Sequence, residues 1–263
     1  MTHTIPTFLT IAGSDPSGGA GLQADLRVAQ SLGCYGMAIV TALTAQNTMG
    51  VEQVWPLSFE QVVGQGTALF KDINPDAIKI GMLGDEAVAM GVMELLSRYG
   101  NKNVVIDTVM QSTSGANLFK PQGGDVFNEL LKYARVITPN LPEASLLSQN
   151  KIENLSTTAR SLSQACGGVS VYLKGGHTGE GDCITDTFYN AETDNILQFT
   201  QPRIITKNTH GTGCTLSSAL ASYLAKGFSL DDAARQANLF MHNALRTSAS
   251  YELGHGHGPA FIL

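Results

Sequence analysis

The chain has 263 residues, of which 43% are hydrophobic, so it can bury one large core as a single domain over residues 1–263. Its formal net charge of −6 excludes the basic footprint typical of nucleic-acid-binding proteins, so no nucleic-acid partner is expected. The four cysteines form no C-x-x-C pair, which argues against a disulfide framework or a structural zinc site.

Strand and helix patterns alternate from the N-terminus. The run TFLTIAG predicts a first strand, and AGLQADLRVAQSLG predicts an amphipathic helix closed by Gly33. GMAIVTALTAQ predicts a second strand. The helix that follows, SFEQVVGQGTALFK, carries Ser58 and Gln61 at the spacing of a capping box.

The alternation continues through the rest of the chain. DAIKIG, NVVIDTV, ARVITPN and VSVYLKGG predict short buried strands. CITDTFYN and NILQFTQ predict a β-hairpin around AETD. Further helices are predicted at residues 85–100, 123–133, 157–166, 214–226 and about 230–248, the last capped by Ser229 with Asp232.

Repeated β-α units predict a mainly parallel sheet with helices on both faces, in which ligands bind at the carboxyl ends of the strands. Polar or glycine-rich runs follow the predicted strands, namely GSDPSGGAG, TAQNT, GMLGD, DTVMQSTSG, TPNLPEA, KGGH and NTHGTGC. Their positions predict one active cleft that binds a small molecule. No linker or solenoid-length repeat interrupts the pattern, which favours a single domain.

The first residues give no sign of export. They lack a basic segment ahead of their short apolar run, so no cleavable signal is expected. No segment approaches the roughly 20 apolar residues that a membrane helix needs. A cytoplasmic protein without a membrane partner is therefore predicted.

The first glycine-rich run formally matches a dinucleotide-binding fingerprint. Gly19, Gly21 and Ala24 have G-x-G-x-x-A spacing, but SDPSG separates them from the strand, whereas the fingerprint needs its turn directly after the strand. The second strand also lacks an acidic residue for a ribose hydroxyl. A dinucleotide site is disfavoured, and glycines that merely ease a strand-to-helix turn are an alternative.

The run NTHGTGC predicts an anion site. Gly211 and Gly213 let the backbone N–H groups point one way, and the helix that begins near Cys214 adds its unpaired first-turn amides. The same field should lower the pKa of Cys214, which could then accept a proton from a substrate hydroxyl. The alternative is a small buried cysteine at the start of a helix.

Several runs together resemble a known family. LTIAGSDPSGGAGLQADL, TALTAQNT, IKIGML, TPNLPEA, KGGH and TKNTHGTGCTLSSALA occur between about residues 7 and 248 in the order found in hydroxymethylpyrimidine/phosphomethylpyrimidine kinases of thiamine biosynthesis. The resemblance implies a ribokinase-like three-layer αβα sandwich with a mainly parallel central sheet and no separate lid domain. It implies ATP-dependent phosphorylation of the hydroxymethylpyrimidine and then of its monophosphate, with Mg²⁺, in a homodimer.

The resemblance also implies roles for individual residues. Cys214 would be the general base of the first phosphorylation, and the amides of Gly211, Thr212, Gly213 and Cys214 would form the anion hole. The residues implied on the acceptor side are Gly13, Asp15, Gln46 and Met82. Those implied near the nucleotide are Asn140, Lys174, Lys207 and Thr209, and those implied for magnesium are Asp107 and Glu143.

Some of these residues also have plainer interpretations. Asn140 and Glu143 have capping-box spacing, so Glu143 could simply close the first turn of its helix. Met82 could be core packing, Asp107 a turn former, and His210 a residue that orients a loop. The run GHGHG near the end of the sequence is expected to be a frayed, solvated tail.

The sequence departs from the family pattern at one point. The family commonly has Asp-Pro-Val-Met where this chain has Asp107, Thr108, Val109 and Met110, and Gln111 stands where a small apolar residue is usual. Losing the proline loosens the turn before residues 111–124, which are predicted to form a mobile cover that keeps water from the reaction.

Three other functions were weighed against this kinase. A pyridoxal kinase would use the same chemistry on another hydroxymethyl ring, although Gln46 favours an aminopyrimidine because its amide both donates and accepts. An NAD-binding oxidoreductase is disfavoured by the missing ribose acid. A ligand-binding regulator would bind the pyrimidine without consuming ATP.

Overall fold

The computed structural model of the protein describes residues 4–109, 119–120, 125–148, 154–176 and 181–261. The strands are β1 (Thr7–Ser14), β2 (Tyr35–Asn47), β3 (Gly50–Pro56), β4 (Ala77–Ile80), β5 (Gly84–Asp85), β6 (Val104–Ile106), β7 (Phe119–Lys120), β8 (Val136–Ile137), β9 (Ser170–Leu173), β10 (Cys183–Asn190) and β11 (Asn195–Pro202). The helices are α1 (Gly21–Ser31), α2 (Phe59–Phe70), α3 (Glu86–Tyr99), α4 (Val126–Leu131), α5 (Leu141–Ser148), α6 (Leu155–Ala165), α7 (Thr212–Ala225) and α8 (Leu230–Ser248).

The main sheet of the described residues has nine strands in the order β11-β10-β9-β8-β6-β4-β1-β2-β3. The six strands from β9 to β2 are parallel to one another, β3 is antiparallel at one edge, and β10 and β11 are antiparallel at the other. The short strands β5 and β7 form a separate parallel pair. This is the mainly parallel sheet that the sequence predicts.

Helices cover both faces of the sheet and make two apolar cores. Leu9 and Ile11 of β1 point into the core under α2 to α6. Phe8, one residue out of phase with them, points into the core under α1, α7 and α8. Successive side chains of a strand face opposite sides, so one buried strand serves both cores. The predicted three-layer αβα architecture is confirmed.

Most predicted elements are present, with small shifts of their ends. The hairpin pairs Cys183 with Pro202 and Asn190 with Asn195, as predicted around AETD. The capping box of Ser58 and Gln61 forms at the start of α2. Helix α7 begins two residues before its predicted start. None of the helices within the described residues is both long and apolar enough to cross a bilayer.

The structure differs from the sequence-based expectation at β3 and at the GHGHG run. Strand β3 forms an antiparallel hairpin with β2, although its residues are largely half-buried or exposed and give no buried apolar run. The expectation of a frayed GHGHG tail is wrong, whereas its two histidines, His255 and His257, are exposed as expected. The backbone N–H of His257 donates to the carbonyl oxygen of Thr48 at 2.8 Å, and Ala260 is fully buried.

Candidate active site

The predicted site residues gather at the carboxyl ends of the parallel strands. Asp15 follows β1, Gln46 lies at the end of β2, and Met82 comes shortly after β4. Asp107 follows β6, and Lys174 follows β9. Parallel strands end at the same edge of a sheet, so the fold brings these residues to one cleft, as in other open α/β sheets.

Two helix N-termini meet in this cleft. Gly211 is the N-cap of α7 with φ +79°, and a Cβ atom there would lie 2.0 Å from the carbonyl oxygen of Gly19. Gly21, with φ +57°, begins α1 from the same side. Only residues without side chains permit this approach, because a Cβ would both collide and strain the backbone. In the first turn of α7 the N–H of Thr212 donates to the carbonyl of Thr209 at 3.3 Å, and the N–H groups of Gly213 and Cys214 that follow it make the cleft suited to an anion.

Cys214 lies in the first turn of α7 and is half-buried. The expectation that its pKa is lowered is wrong, since burial of the sulfur raises the pKa to about 11. Lys79 and the backbone N–H of Gly21 lower the pKa, but Asp25 and Asp107 oppose them. Desolvation of the thiolate therefore outweighs the lowering of the pKa by Lys79 and the Gly21 N–H.

A buried ion pair lies behind this helix turn. The ammonium of Lys79 is 2.9 Å from both carboxylate oxygens of Asp25, and both side chains are fully buried. Asp25 also accepts from the hydroxyls of Thr10 at 2.6 Å and Ser218 at 2.8 Å. Ser218 lies one helical turn after Cys214, so the pair fixes the position of α7 beneath the sulfur.

Lys79 and Asp25 are not among the site residues predicted from the sequence. The signal was a single lysine in the otherwise apolar strand AIKI, because a fully buried lysine requires a partner. Burial alone would lower the pKa of Lys79, but Asp25, Cys214 and Asp107 raise it above its usual value. The ammonium therefore stays charged and supplies a permanent cation behind the cleft.

A second charged cluster lies beside the first turn of α7. The ammonium of Lys174 is 3.0 Å from Oδ1 of Asp107 and 3.8 Å from Oε2 of Glu143. A Cβ on Gly213 would lie 2.9 Å from Oδ2 of Asp107 and 3.4 Å from the Lys174 ammonium. The glycine thus lets the cluster approach the backbone of the predicted anion hole.

The two carboxylates differ in their electrostatics. Burial alone would raise the pKa of Asp107, but Lys174 and Lys79 outweigh it and hold the pKa below its usual value. Burial raises the pKa of Glu143, the Asp107 charge adds to this, and Lys174 only partly offsets both. Asp107 is therefore the firmly ionised member of the pair at neutral pH.

Glu143 also caps helix α5, as its alternative interpretation predicted. Its Oε2 accepts from the backbone N–H of Asn140 at 2.8 Å, and the Asn140 side chain accepts from the backbone N–H of Glu143 at 2.8 Å. Thr108, which stands where the family commonly has proline, donates its hydroxyl to the same Glu143 oxygen at 3.0 Å. This hydroxyl ties the turn after β6 to α5.

The donor set of this cluster fits magnesium. The carboxylates of Asp107 and Glu143 both lie near the Lys174 ammonium. Within the described ranges no group of three or more His, Cys, Asp or Glu side chains could hold a metal ion by itself. Mg²⁺ is commonly held by one or two carboxylates together with water and substrate phosphates. Asp107 and Glu143 therefore suit a metal that arrives with a phosphate ligand.

The other side of the cleft holds a ring of polar contacts around His210. Its Nε2 donates to Oδ2 of Asp15 at 2.8 Å, and the amide nitrogen of Gln46 lies 3.1 Å from the same Nε2. The side-chain amide of Gln46 therefore lies directly against the Asp15–His210 pair. Asp15 also accepts from Ser17 and Ala20, so it organises the loop after β1.

Met82 and Gly13 form the apolar floor of this side. A Cβ on Gly13 would lie 3.0 Å from the Met82 sulfur, and the carbonyl of Met82 accepts from the hydroxyl of Thr41 at 2.6 Å. Met82 is half-buried, which leaves part of its thioether for a flat ring.

Two residues predicted near the nucleotide lie on the loop before α7. Lys207 is exposed and Thr209 is half-buried. The backbone N–H of Thr209 donates to the carbonyl of Lys207 at 3.0 Å. The predicted cover at residues 111–124 lies outside the described residues, apart from the backbone of β7, and its role stays a prediction.

The sequence of the chain is similar to those of a known protein family. The profile of the family described as phosphomethylpyrimidine kinase matches residues 15–261. A hydroxymethylpyrimidine/phosphomethylpyrimidine kinase of Escherichia coli K12 is 42% identical over 257 residues, which cover 95% of this chain and 95% of that protein. The family match includes the cleft residues from Asp15 to Cys214.

Solved structures resemble the chain over most of its length. A phosphomethylpyrimidine kinase from Clostridium difficile has 37% identity and a TM-score of 0.79, covering 90% of this chain and 98% of its own. An ADP complex of Bacillus subtilis pyridoxal kinase has 32% identity and a TM-score of 0.85, covering 97% and 96%. One ribokinase-like fold thus includes kinases named for two different ring substrates.

Proposed function

The chain belongs to the phosphomethylpyrimidine kinase family, and we propose from this premise how its cleft phosphorylates the hydroxymethylpyrimidine and then the resulting monophosphate. The protein is an enzyme, a phosphotransferase of the pathway to thiamine. The observation that carries the proposal is the first turn of α7, where Cys214 and the N–H groups after Gly211 face the Lys174–Asp107 pair.

The backbone of Gly211 to Cys214 binds the negative charge of the phosphoryl group during transfer. Its N–H groups are positioned before the reaction, so they stabilise developing charge without reorganising. Phosphoryl transfer offers little covalent work to a protein, and positioning together with electrostatics supplies most of the rate. The chain would thus act mainly through fixed donors and charges.

Cys214 accepts the proton of the substrate hydroxyl in the first phosphorylation. With a pKa of about 11 the sulfur is a thiol at neutral pH, so the step requires prior loss of its proton. Lys79 and the backbone N–H of Gly21 both stabilise the thiolate form of Cys214. The second acceptor is a phosphate that is already ionised, so the second step needs no such base.

Asp107 and Glu143 would hold Mg²⁺, with Lys174 next to the transferred phosphate. When bound, the metal would neutralise phosphate charge. ATP is the donor in this proposal, supported by the kinase family and by the ADP complex of the pyridoxal kinase neighbour. Asn140 and Thr209 lie at the borders of this side, near the nucleotide.

Gln46 and Met82 would bind the aminopyrimidine ring. The amide of Gln46 offers both a donor and an acceptor to a ring edge that carries both, and Met82 packs against the ring face. Pyridoxal is the second candidate acceptor, because a pyridoxal kinase shares the fold at a TM-score of 0.85. A single domain, a homodimer and a cytoplasmic location complete the proposal.

Phosphorus NMR tests acceptor and reaction class together. With MgATP and the hydroxymethylpyrimidine we expect a monophosphate signal first and then the coupled signals of a pyrophosphate. With pyridoxal we expect at most a monophosphate, formed more slowly. A reaction without acceptor controls for ATP hydrolysis. ATP left intact with both acceptors, or faster use of pyridoxal, would contradict the proposal.

Gly211→Ala tests the anion hole. We expect the first phosphorylation to slow by at least about 10²-fold, because displacing the turn by roughly 1 Å misaligns the reacting groups. Gly227→Ala is the matched control, since Gly227 also has a positive φ, of +83°, but no atom lies within 4 Å of its Cβ position. Both variants carry similar backbone strain, so equal activities would show that the contact with Gly19 is not needed.

A further inference from the structure

The residues after α8 return to the active cleft and pair with the loop before α7. The backbone N–H of His210 donates to the carbonyl of Gly258 at 3.0 Å, and the N–H of Ala260 donates to the carbonyl of His210 at 2.8 Å. These two bonds make a parallel β-bridge between His210 and Pro259. They use both the N–H and the carbonyl oxygen of His210. This residue immediately precedes Gly211, the N-cap of α7.

The same residues also hold the end of β2. The N–H of His257 donates to the carbonyl of Thr48 at 2.8 Å, and the N–H of Gly256 donates to the Thr48 hydroxyl at 3.2 Å. Thr48 follows the last residue of β2 and lies two residues after Gln46. One short segment therefore bonds to both the acceptor side and the phosphoryl side of the cleft.

Glycine makes this close packing possible. A Cβ on Gly256 would lie 2.0 Å from the carbonyl oxygen of Thr48, and a Cβ on Gly258 would lie 2.0 Å from Oδ1 of Asn208. Asn208 in turn donates its side-chain amide to the carbonyl of Tyr251 at 2.8 Å. The backbone of the segment is thus packed closely against the backbone of Thr48 and the side chain of Asn208.

We propose that residues 254–260, here called the strap, are a positioning element that sets the distance between Gln46 and the N-terminus of α7. The strap touches no reacting group in the proposed mechanism. It acts through Thr48 and His210, so it determines how a ring held by Gln46 is aligned with the anion hole. Displacements of about 1 Å from this alignment can cost 10²-fold in rate. The inference rests on the function proposed above.

Small substitutions in the strap separate positioning from folding. We expect Gly256→Ala and Gly258→Ala to lower kcat of the first phosphorylation by about 10–100-fold, with the Kd for ADP changed less than about twofold. Thr48→Val should lower kcat because it loses the bond to Gly256, whereas Thr48→Ser should retain activity. A role in general stability would instead lower ADP binding and activity together, and Thr48→Ser would not differ from Thr48→Val.

Two variants serve as controls. His255→Ala changes an exposed residue within the strap, and Gly64→Ala adds a methyl group to α2 where no atom lies within 4 Å. Both should match the unaltered enzyme. Strap variants with normal kcat, or with kcat and ADP affinity lost in parallel, overturn the inference. If the unaltered enzyme phosphorylates neither acceptor, the proposed function fails, and ADP binding still reports whether the protein is folded.

Discussion

Replacing Cys214 by serine or alanine is expected to slow the first phosphorylation by roughly 10²–10⁴-fold, the usual loss when a general base is removed. The second phosphorylation should change far less, because its acceptor oxygen is already ionised. Separate assays that start from the hydroxymethylpyrimidine and from its monophosphate measure the two steps. The asymmetry between them, rather than either rate alone, identifies the role of the sulfur.

The pH dependence of the first phosphorylation rate tests the general-base role of Cys214 independently. Burial raises the pKa of Cys214 to about 11, so the thiolate fraction grows about tenfold for each pH unit below that value. The first phosphorylation should therefore accelerate with pH between about 7 and 9. The second step, and the first step of Cys214→Ser, should show a much weaker dependence because neither uses the thiolate.

The control for both experiments is Cys183→Ser, which removes an exposed thiol at the start of β10. It should leave both rates and both pH profiles unchanged. Equal losses in the two steps for Cys214→Ala would contradict the general-base role. The sulfur would then contribute to binding or packing, which was the plainer interpretation of a cysteine at the start of a helix.

Removing the ammonium of Lys79 is expected to lower the free energy of unfolding by about 3–5 kcal/mol, the usual cost of breaking a buried ion pair. Lys79→Met leaves the fully buried carboxyl group of Asp25 without its ammonium partner, and among the described residues the hydroxyls of Thr10 and Ser218 remain as its donors. For a chain of this size each kcal/mol shifts the melting temperature by about 2–4 °C. Thermal unfolding followed by circular dichroism measures the change.

The double variant tests whether the loss comes from the unpaired charge. Lys79→Met combined with Asp25→Leu removes both members of this buried pair, so it should be more stable than Lys79→Met alone. Lys132→Met, which breaks an exposed pair with Glu129, should leave the melting temperature unchanged within error. A wild-type melting temperature for Lys79→Met would show that the ion pair is not needed for stability.

The sequence predicted the architecture well because the fold rests on local patterns. Alternating strand and helix runs gave the layers, and polar runs after the strands located the cleft that Asp15, Gln46, Asp107 and Lys174 share. The capping spacing of Asn140 and Glu143 predicted their two hydrogen bonds. Each of these inferences needs only neighbours in the chain and the direction of a parallel strand.

The properties that failed depend on distant residues. The pKa of Cys214 was expected to fall because the helix N-terminus is visible in the sequence, but its desolvation and the charge of Asp25 are not. The GHGHG run is ordered rather than frayed because the N–H of His257 donates to the carbonyl of Thr48, a contact that the run itself does not reveal. Strand β3 was missed because an edge strand shows no buried run.

The pairing of Asp15 with His210 has a consequence for how the enzyme is made. Asp15 and His210 are 195 positions apart in the sequence, and Asp25 and Ser218 are 193 apart. The contacts that hold the cleft together therefore join distant parts of the chain. During synthesis the early strands and helices emerge long before their partners in α7. Contacts of such long range form late in folding. The ribosome must therefore release the chain at least through α7, which ends at Ala225, before the cleft can form.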